Sequence, residues 1–98
     1  MRRGFEVRVV PSSVLALAGE RVTVVATTLD GRAATVHWLS AEPEIAQMDT
    51  TVGAGVPVVL QALRVGSTIL QVTVTRDQDV VRIAVPVSVG IALRSTPP

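Results

Sequence analysis

Thr35-Val36-His37-Trp38-Leu39-Ser40 holds the only tryptophan of the chain, in a short segment whose apolar and polar residues alternate. Alternation sends Val36 and Trp38 to one face of an extended strand and His37 and Leu39 to the other. The stretch is the third of about seven such segments, with turn residues between successive ones. A lone large ring on the inner face of a third strand predicts the centre of two packed β-sheets. The fold class read from this pattern is all-β, an antiparallel β-sandwich.

The segments on either side repeat the pattern. Phe5-Glu6-Val7-Arg8-Val9 is broken at Pro11-Ser12-Ser13 and resumes through Val14-Leu15-Ala16-Leu17, so the first strand is expected to kink or change sheets at Pro11, which has no N–H to donate. Ala18-Gly19-Glu20 forms a turn. From Arg21 to Leu29, Val22, Val24 and Ala26 share a face. Asp30-Gly31 reads as a turn, because glycine accepts positive φ and aspartate can bond its own backbone.

Beyond Trp38, the run Ser40-Ala41-Glu42-Pro43-Glu44 ends the third strand, and a short strand from Ile45 to Met48 follows. Asp49 to Gly55, polar and glycine-bearing, reads as a mobile loop. Val56 to Leu63 reads as a strand whose sheet the pattern does not assign, with Pro57 suited to an edge or a strand start. Arg64-Val65-Gly66 turns the chain. Thr68, Leu70, Val72 and Val74 share one face of the next strand, and Arg76-Asp77-Gln78-Asp79 is a polar hairpin loop. In the last strand Val81, Ile83, Val85, Val87 and Val89 lie on one side, while Pro86 on the other argues for a bulge or an edge. The core is expected to include Trp38, Val22, Val24, Val36, Leu70, Val72, Ile83 and Val85.

Composition narrows the function classes. The chain has 98 residues, 48% of them hydrophobic and 17% charged, with a formal net charge of +1, which suits one domain with one core and attracts no polyanion strongly. All nine basic residues are arginines, and lysine, asparagine, tyrosine and cysteine are missing. No disulfide, zinc–thiolate site, thiol nucleophile, Schiff base or N-glycosylation acceptor can therefore be built. Trp38 and Phe5 are the only large rings. Met1-Arg2-Arg3-Gly4 is read as leader residues, 5–90 as the domain and 91–98 as a linker, as if cut from a longer polypeptide. Glu6 and Arg8 interrupt the apolar stretch a signal peptide needs, and no run is long enough for a membrane-spanning helix.

Five pieces occur in order: Val9-Val10-Pro11-Ser12-Ser13-Val14, Leu17-Ala18-Gly19-Glu20-Arg21-Val22-Thr23-Val24, Val36-His37-Trp38-Leu39-Ser40, Pro43-Glu44-Ile45-Ala46-Gln47-Met48-Asp49, and Leu63-Arg64-Val65-Gly66-Ser67-Thr68-Ile69-Leu70-Gln71-Val72. Together they resemble a bacterial immunoglobulin-like domain of group 2, over about Glu6 to Val89. That family shows a Pro-Ser start, a Gly-Glu turn, a Trp-Ser pair and an aliphatic-Gly-Thr turn. Here Leu39 separates Trp38 from Ser40, and Thr50 to Leu63 is longer and more apolar than the family pattern. The resemblance implies an Ig-like sandwich of about seven strands with Greek-key connections, and a non-catalytic spacer or adhesion module of an extracellular, cell-surface or phage protein. Expected partners are neighbouring domains of the same polypeptide, with a cell-surface protein or carbohydrate at the end loops as the alternative; no nucleic acid, no membrane insertion and a monomeric isolated domain are expected.

Candidate chemistry is sparse. No catalytic residue and no cofactor are expected, with a calcium-stiffened tandem repeat, its ion held at Asp77 and Asp79, as an alternative. His37 is the sole histidine, but alternation separates it from Ser40, and no nucleophile elbow is present. Asp77 and Asp79 offer carboxylates at a hairpin tip, where calcium would need six to eight oxygens; Asp30 and Asp49 join them only if their loops meet at one end. Arg21, Arg64, Arg76 and Arg82 suggest a solvated stripe paired with Glu20, Asp77 and Asp79. Val25, Leu39, Val59 and Ile69 point outward and would form a packing patch if they share one face.

Overall fold

The computed structural model describes residues 5–91. These form nine strands and no helix: β1 (Val7–Val10), β2 (Val14–Leu17), β3 (Arg21–Thr28), β4 (Thr35–Ser40), β5 (Ala46–Gln47), β6 (Asp49–Gly53), β7 (Val58–Ala62), β8 (Gly66–Arg76) and β9 (Asp79–Gly90). They make two sheets, β1-β3-β7-β5 and β2-β9-β8-β4-β6. The architecture is a β-sandwich with one shared core.

Each face follows from the period-2 pattern. On β4 the inner residues Val36, Trp38 and Ser40 are buried, and on β8 their partners Val74, Val72 and Leu70 are buried opposite them. Val24 and Leu60 enter the same core from the other sheet. Trp38 is fully buried, so the indole fills the space between the sheets. Val24, Val36, Leu70, Val72 and Val85 are buried with it, whereas Val22 and Ile83 are only half-buried and pack against the core from its margin. For Ile83 the cause is topological: β2 pairs with β9 only from Val87 to Gly90, leaving Ile83 beside an uncovered edge. Val22 is the second residue of β3, next to exposed Arg21.

Several expectations are corrected in detail. There are nine strands where about seven were expected. One of the two extra ones comes from a sheet change: Pro11, preceded by a cis peptide bond, separates β1, which pairs with β3, from β2, which pairs with β9. The β2–β9 pair is parallel, while the other pairs are antiparallel. The stretch from Asp49 to Gly55 is no loop as far as Gly53, because Thr50, Thr51 and Val52 pair with Trp38, His37 and Val36 as β6. The short strand expected from Ile45 to Met48 is reduced to Ala46 and Gln47. Val58–Ala62 joins the four-stranded sheet between β3 and β5, with Pro57 just before its start. Pro86 makes no bulge: the one-to-one register runs through Ile69↔Pro86, and Pro86 immediately precedes the first β9 residue covered by β2.

The order of the sheets puts β1 and β5 at the edges of one and β2 and β6 at the edges of the other. Those edge strands are consecutive in the chain. The segment β1-Pro11-β2 crosses between sheets at one side, and β5-Met48-β6 crosses at the other, with buried Met48 accepting a bond at its carbonyl from Ser40 N–H. Strands that change sheets make corners, and here they close both sides of the sandwich.

Candidate functional site

The side chains singled out in the sequence fall in three separate places. His37 lies on the outer face of β4, and its Nε2 is 3.2 Å from Asp49 Oδ1. Because His37 sits opposite Thr51, Asp49 is its diagonal neighbour on β6, a position within reach of a long side chain. The imidazole side chain keeps 42% of its surface exposed and Asp49 keeps 74%, so the contact is a solvated cross-strand pair. Ser40 points the other way, buried, with its Oγ accepting from Glu42 N–H. No triad geometry can join His37 to Ser40.

The second place is the end of the sandwich where the described chain starts, here the N-terminal pole. Thr28 Oγ1 donates to the Arg32 carbonyl at 2.7 Å, and Asp30 Oδ1 accepts from Arg32 N–H at 3.0 Å. This shapes the turn after β3 and fixes the Asp30 carboxylate. Arg76, at the end of β8, then donates through Nη1 to both Asp30 oxygens, at 2.9 and 2.8 Å. The same guanidinium lies 4.3 Å from the centre of the Phe5 ring, an arrangement in which charge meets the ring quadrupole. The Arg32 N–H bond, and next the Arg76 side chain, hold the Asp30 carboxyl below its ordinary value of 3.8.

This cluster was not legible in the sequence. Asp30 read as a turn former and Arg76 as part of a stripe facing Asp77 and Asp79, and the two lie 46 positions apart. Asp77 is instead an exposed turn residue with φ of 55°, and Asp79 lies opposite Arg76 in the ladder. Asp30 does lie at the hairpin end, but its carboxylate is held by Arg76. Asp49 is elsewhere, opposite Leu39, toward the other end of β4. Among the described residues no three acidic, histidine or cysteine side chains come together as a metal site.

The third place is the outer surface. Val25 and Val59 lie on the four-stranded sheet, Leu39 and Ile69 on the five-stranded one, so the four do not share one face. A different apolar group gathers at the opposite, C-terminal pole: Leu17, Leu63, Val65 and Ile91 are all exposed there. Three backbone contacts bring their segments together, Ala18 N–H to the Gly90 carbonyl, Gly19 N–H to the Ala62 carbonyl, and the pairing of Gly66 with Val89. A shallow open groove of about 520 Å³ runs beside β5 and β6, lined by Gln47, Asp49, Thr50, Pro57, Val59 and Gln61 among others. It has no aromatic wall. Both large rings are buried, Trp38 fully and Phe5 at 7% exposure, so neither offers a face to a sugar or a base.

Neither a protein-family model nor a curated protein matches the chain. Among solved structures, the fold is similar to that in the crystal structure of domains 4 and 5 of the S-layer protein SbsC, with a TM-score of 0.62 and 19% sequence identity. That similarity covers 88% of this chain and 52% of the other, so the chain spans about half the length of the two-domain chain it matches. At this identity the likeness establishes a shared sandwich fold.

Proposed function

We propose that this domain is a non-catalytic structural module of a larger cell-surface protein, an Ig-like domain of the group 2 type that holds its neighbours in line. The observation that carries the reading is polarity of the chain path. Phe5 lies at the N-terminal pole beside Arg76, β9 runs from that pole to the other, and Gly90 ends it beside Leu17. The described chain thus enters at one end and leaves at the other, along roughly 37 Å of extended β9, as a link in series does. Exposed Leu17, Leu63, Val65 and Ile91 at the exit supply apolar surface where a following domain would meet this one. The S-layer likeness supports the same reading through its fold.

The test is topographic. Antibodies raised against the folded chain are expected to label intact, unpermeabilised cells of the source organism, or intact virions if the parent protein is a phage component. Labelling that appears only after lysis overturns a surface role.

A further inference from the structure

We propose that β6 is a homotypic pairing edge, through which two copies of this domain join side by side into one continuous sheet. A weak, reversible dimer thus takes the place of the monomer that the family resemblance implied. The geometry starts from the pairing of β6 with β4. Ser40 N–H donates to the Met48 carbonyl and Ala54 N–H to the Ala34 carbonyl. Alternation between these two bonds directs the backbone groups of Thr50 and Val52 toward β4, and those of Asp49, Thr51 and Gly53 away from it. The Gly53 carbonyl accepts from Val56 N–H in the turn that follows. The N–H groups of Asp49, Thr51 and Gly53 and the carbonyls of Asp49 and Thr51 face a side of the sheet where no further strand lies among the described residues.

The other sheet edges are shorter or covered. β5 has two residues, and β1 has four and stops at Pro11. On β2, also four residues long, Leu17 N–H is taken by Glu20 Oε1 at 2.7 Å. β6 has five residues, with exposed Thr51 at its centre. It carries no proline, lysine or arginine, the residues that most often keep sheet edges apart.

A second copy fits this edge because the edge is complementary to itself. Two β6 strands related by a two-fold axis at Thr51 run antiparallel, with Thr51 opposite its counterpart, Asp49 opposite Gly53 and Thr50 opposite Val52. Each Asp49 carboxylate then meets a glycine and not another carboxylate, and a formal net charge of +1 adds little repulsion. The two Thr51 residues exchange their N–H and C=O bonds across the axis, and Gly53 N–H of each copy reaches the Asp49 carbonyl of the other. On the inner face, half-buried Val52 of one copy covers half-buried Thr50 of the other, at the groove that Thr50 lines with Pro57 and Val59. The edge runs along the side of the sandwich, so pairing leaves both poles free for neighbours in the chain.

Sedimentation equilibrium of the 98-residue chain tests the pairing. A reversible monomer–dimer equilibrium is expected between about 10 μM and 1 mM, as suits a small interface. Thr51→Lys sets like charges opposite each other at the axis and is expected to weaken association about tenfold, as is Thr51→Asp; an equimolar mixture of the two variants is expected to restore it. Leu15→Lys, on the far edge of the same sheet, is expected to leave association unchanged. In the parent chain, the amide resonances of Thr51 and Gly53 are expected to shift with concentration, a readout that needs no variant to fold. A chain that stays monomeric to about 1 mM overturns the proposal, as do amide shifts that bypass β6. Association weakened by Leu15→Lys, association unchanged by the Thr51 variants, or a mixture no tighter than either variant alone does the same.

Discussion

At the scale of single residues, Trp38 and Asp30 show what sequence can and cannot reveal. Trp38 was legible because its environment depends on period 2 alone, and the indole is fully buried. Its truncation to alanine is expected to cost about 3 to 5 kcal/mol, a large part of the stability of a small domain. Urea denaturation checks this, and a loss below about 1 kcal/mol would contradict the core position. The indole Nε1 has no hydrogen-bond partner among the described residues. Trp38→Phe is therefore expected to cost less, about 1 to 2 kcal/mol, because lost contacts are partly offset by removing an unpaired buried donor.

Asp30 was legible as a turn residue, but its partner Arg76 was not, because a pairing across 46 positions depends on which loops the topology brings together. The physical consequence is a pH dependence. The folded carboxyl titrates below 3.8, chiefly through the Arg32 N–H and the Arg76 guanidinium. The folded state thus holds the ionised form more tightly than the unfolded state does. The stabilisation is complete above the ordinary carboxylate range and is lost as pH falls from about that value through the lowered one. Asp30→Asn is expected to flatten the fall in melting temperature between neutral pH and acid, relative to the parent; parallel curves would show that the Asp30–Arg76 pair does not couple to protonation.

At the scale of elements, most strands could be read from alternation, and the failures have identifiable causes. The stretch holding β6 reads as a loop because of Asp49 and Gly53 at its two ends and Gly55 just beyond, while its actual inward positions, Thr50 and Val52, are small and β-branched. The sheet change at Pro11 was legible because proline interrupts a ladder at a known place. The parallel β2–β9 pairing was not, since it joins the first part of the chain to its last strand. Gly66 is an element-level constraint: its φ is 155°, and a Cβ there would lie 2.8 Å from Ile45 Cδ1 and 3.3 Å from Cγ1. Gly66→Ala is expected to destabilise by about 1 to 3 kcal/mol through overpacking against Ile45, measured by thermal or urea unfolding. Rescue by Ile45→Ala in the double variant would identify the contact; no coupling between the two sites would leave backbone conformation as the cause. The β8–β9 hairpin, with Asp77 exposed at its turn and Asp30 held by Arg76, is expected to show no rise in melting temperature with millimolar calcium. A rise that Asp77→Ala abolishes would overturn that expectation.

For the whole molecule, the closed sides determine how it fails. A sandwich whose sheets were joined only by loops could lose one sheet while the other persisted. Here β1-Pro11-β2 and β5-Met48-β6 run from one sheet to the other at opposite sides, so the outermost strands of each sheet are covalent neighbours. Trp38, Val36 and Leu70 from one sheet and Val24 and Leu60 from the other belong to one contiguous cluster. Withdrawing either sheet exposes that cluster and strips both corners. Unfolding is accordingly expected to be a single cooperative transition, with tryptophan emission, which reports the core between the sheets, and far-UV circular dichroism, which reports the ladders, superimposing across urea with a slope of roughly 1 to 3 kcal/mol/M. Trp38 emission is also expected to be blue-shifted in the folded state and indifferent to added glycans, since the ring is enclosed. Separated transitions would show that the corners do not couple the sheets, because an indole between two sheets must become wet when either one leaves.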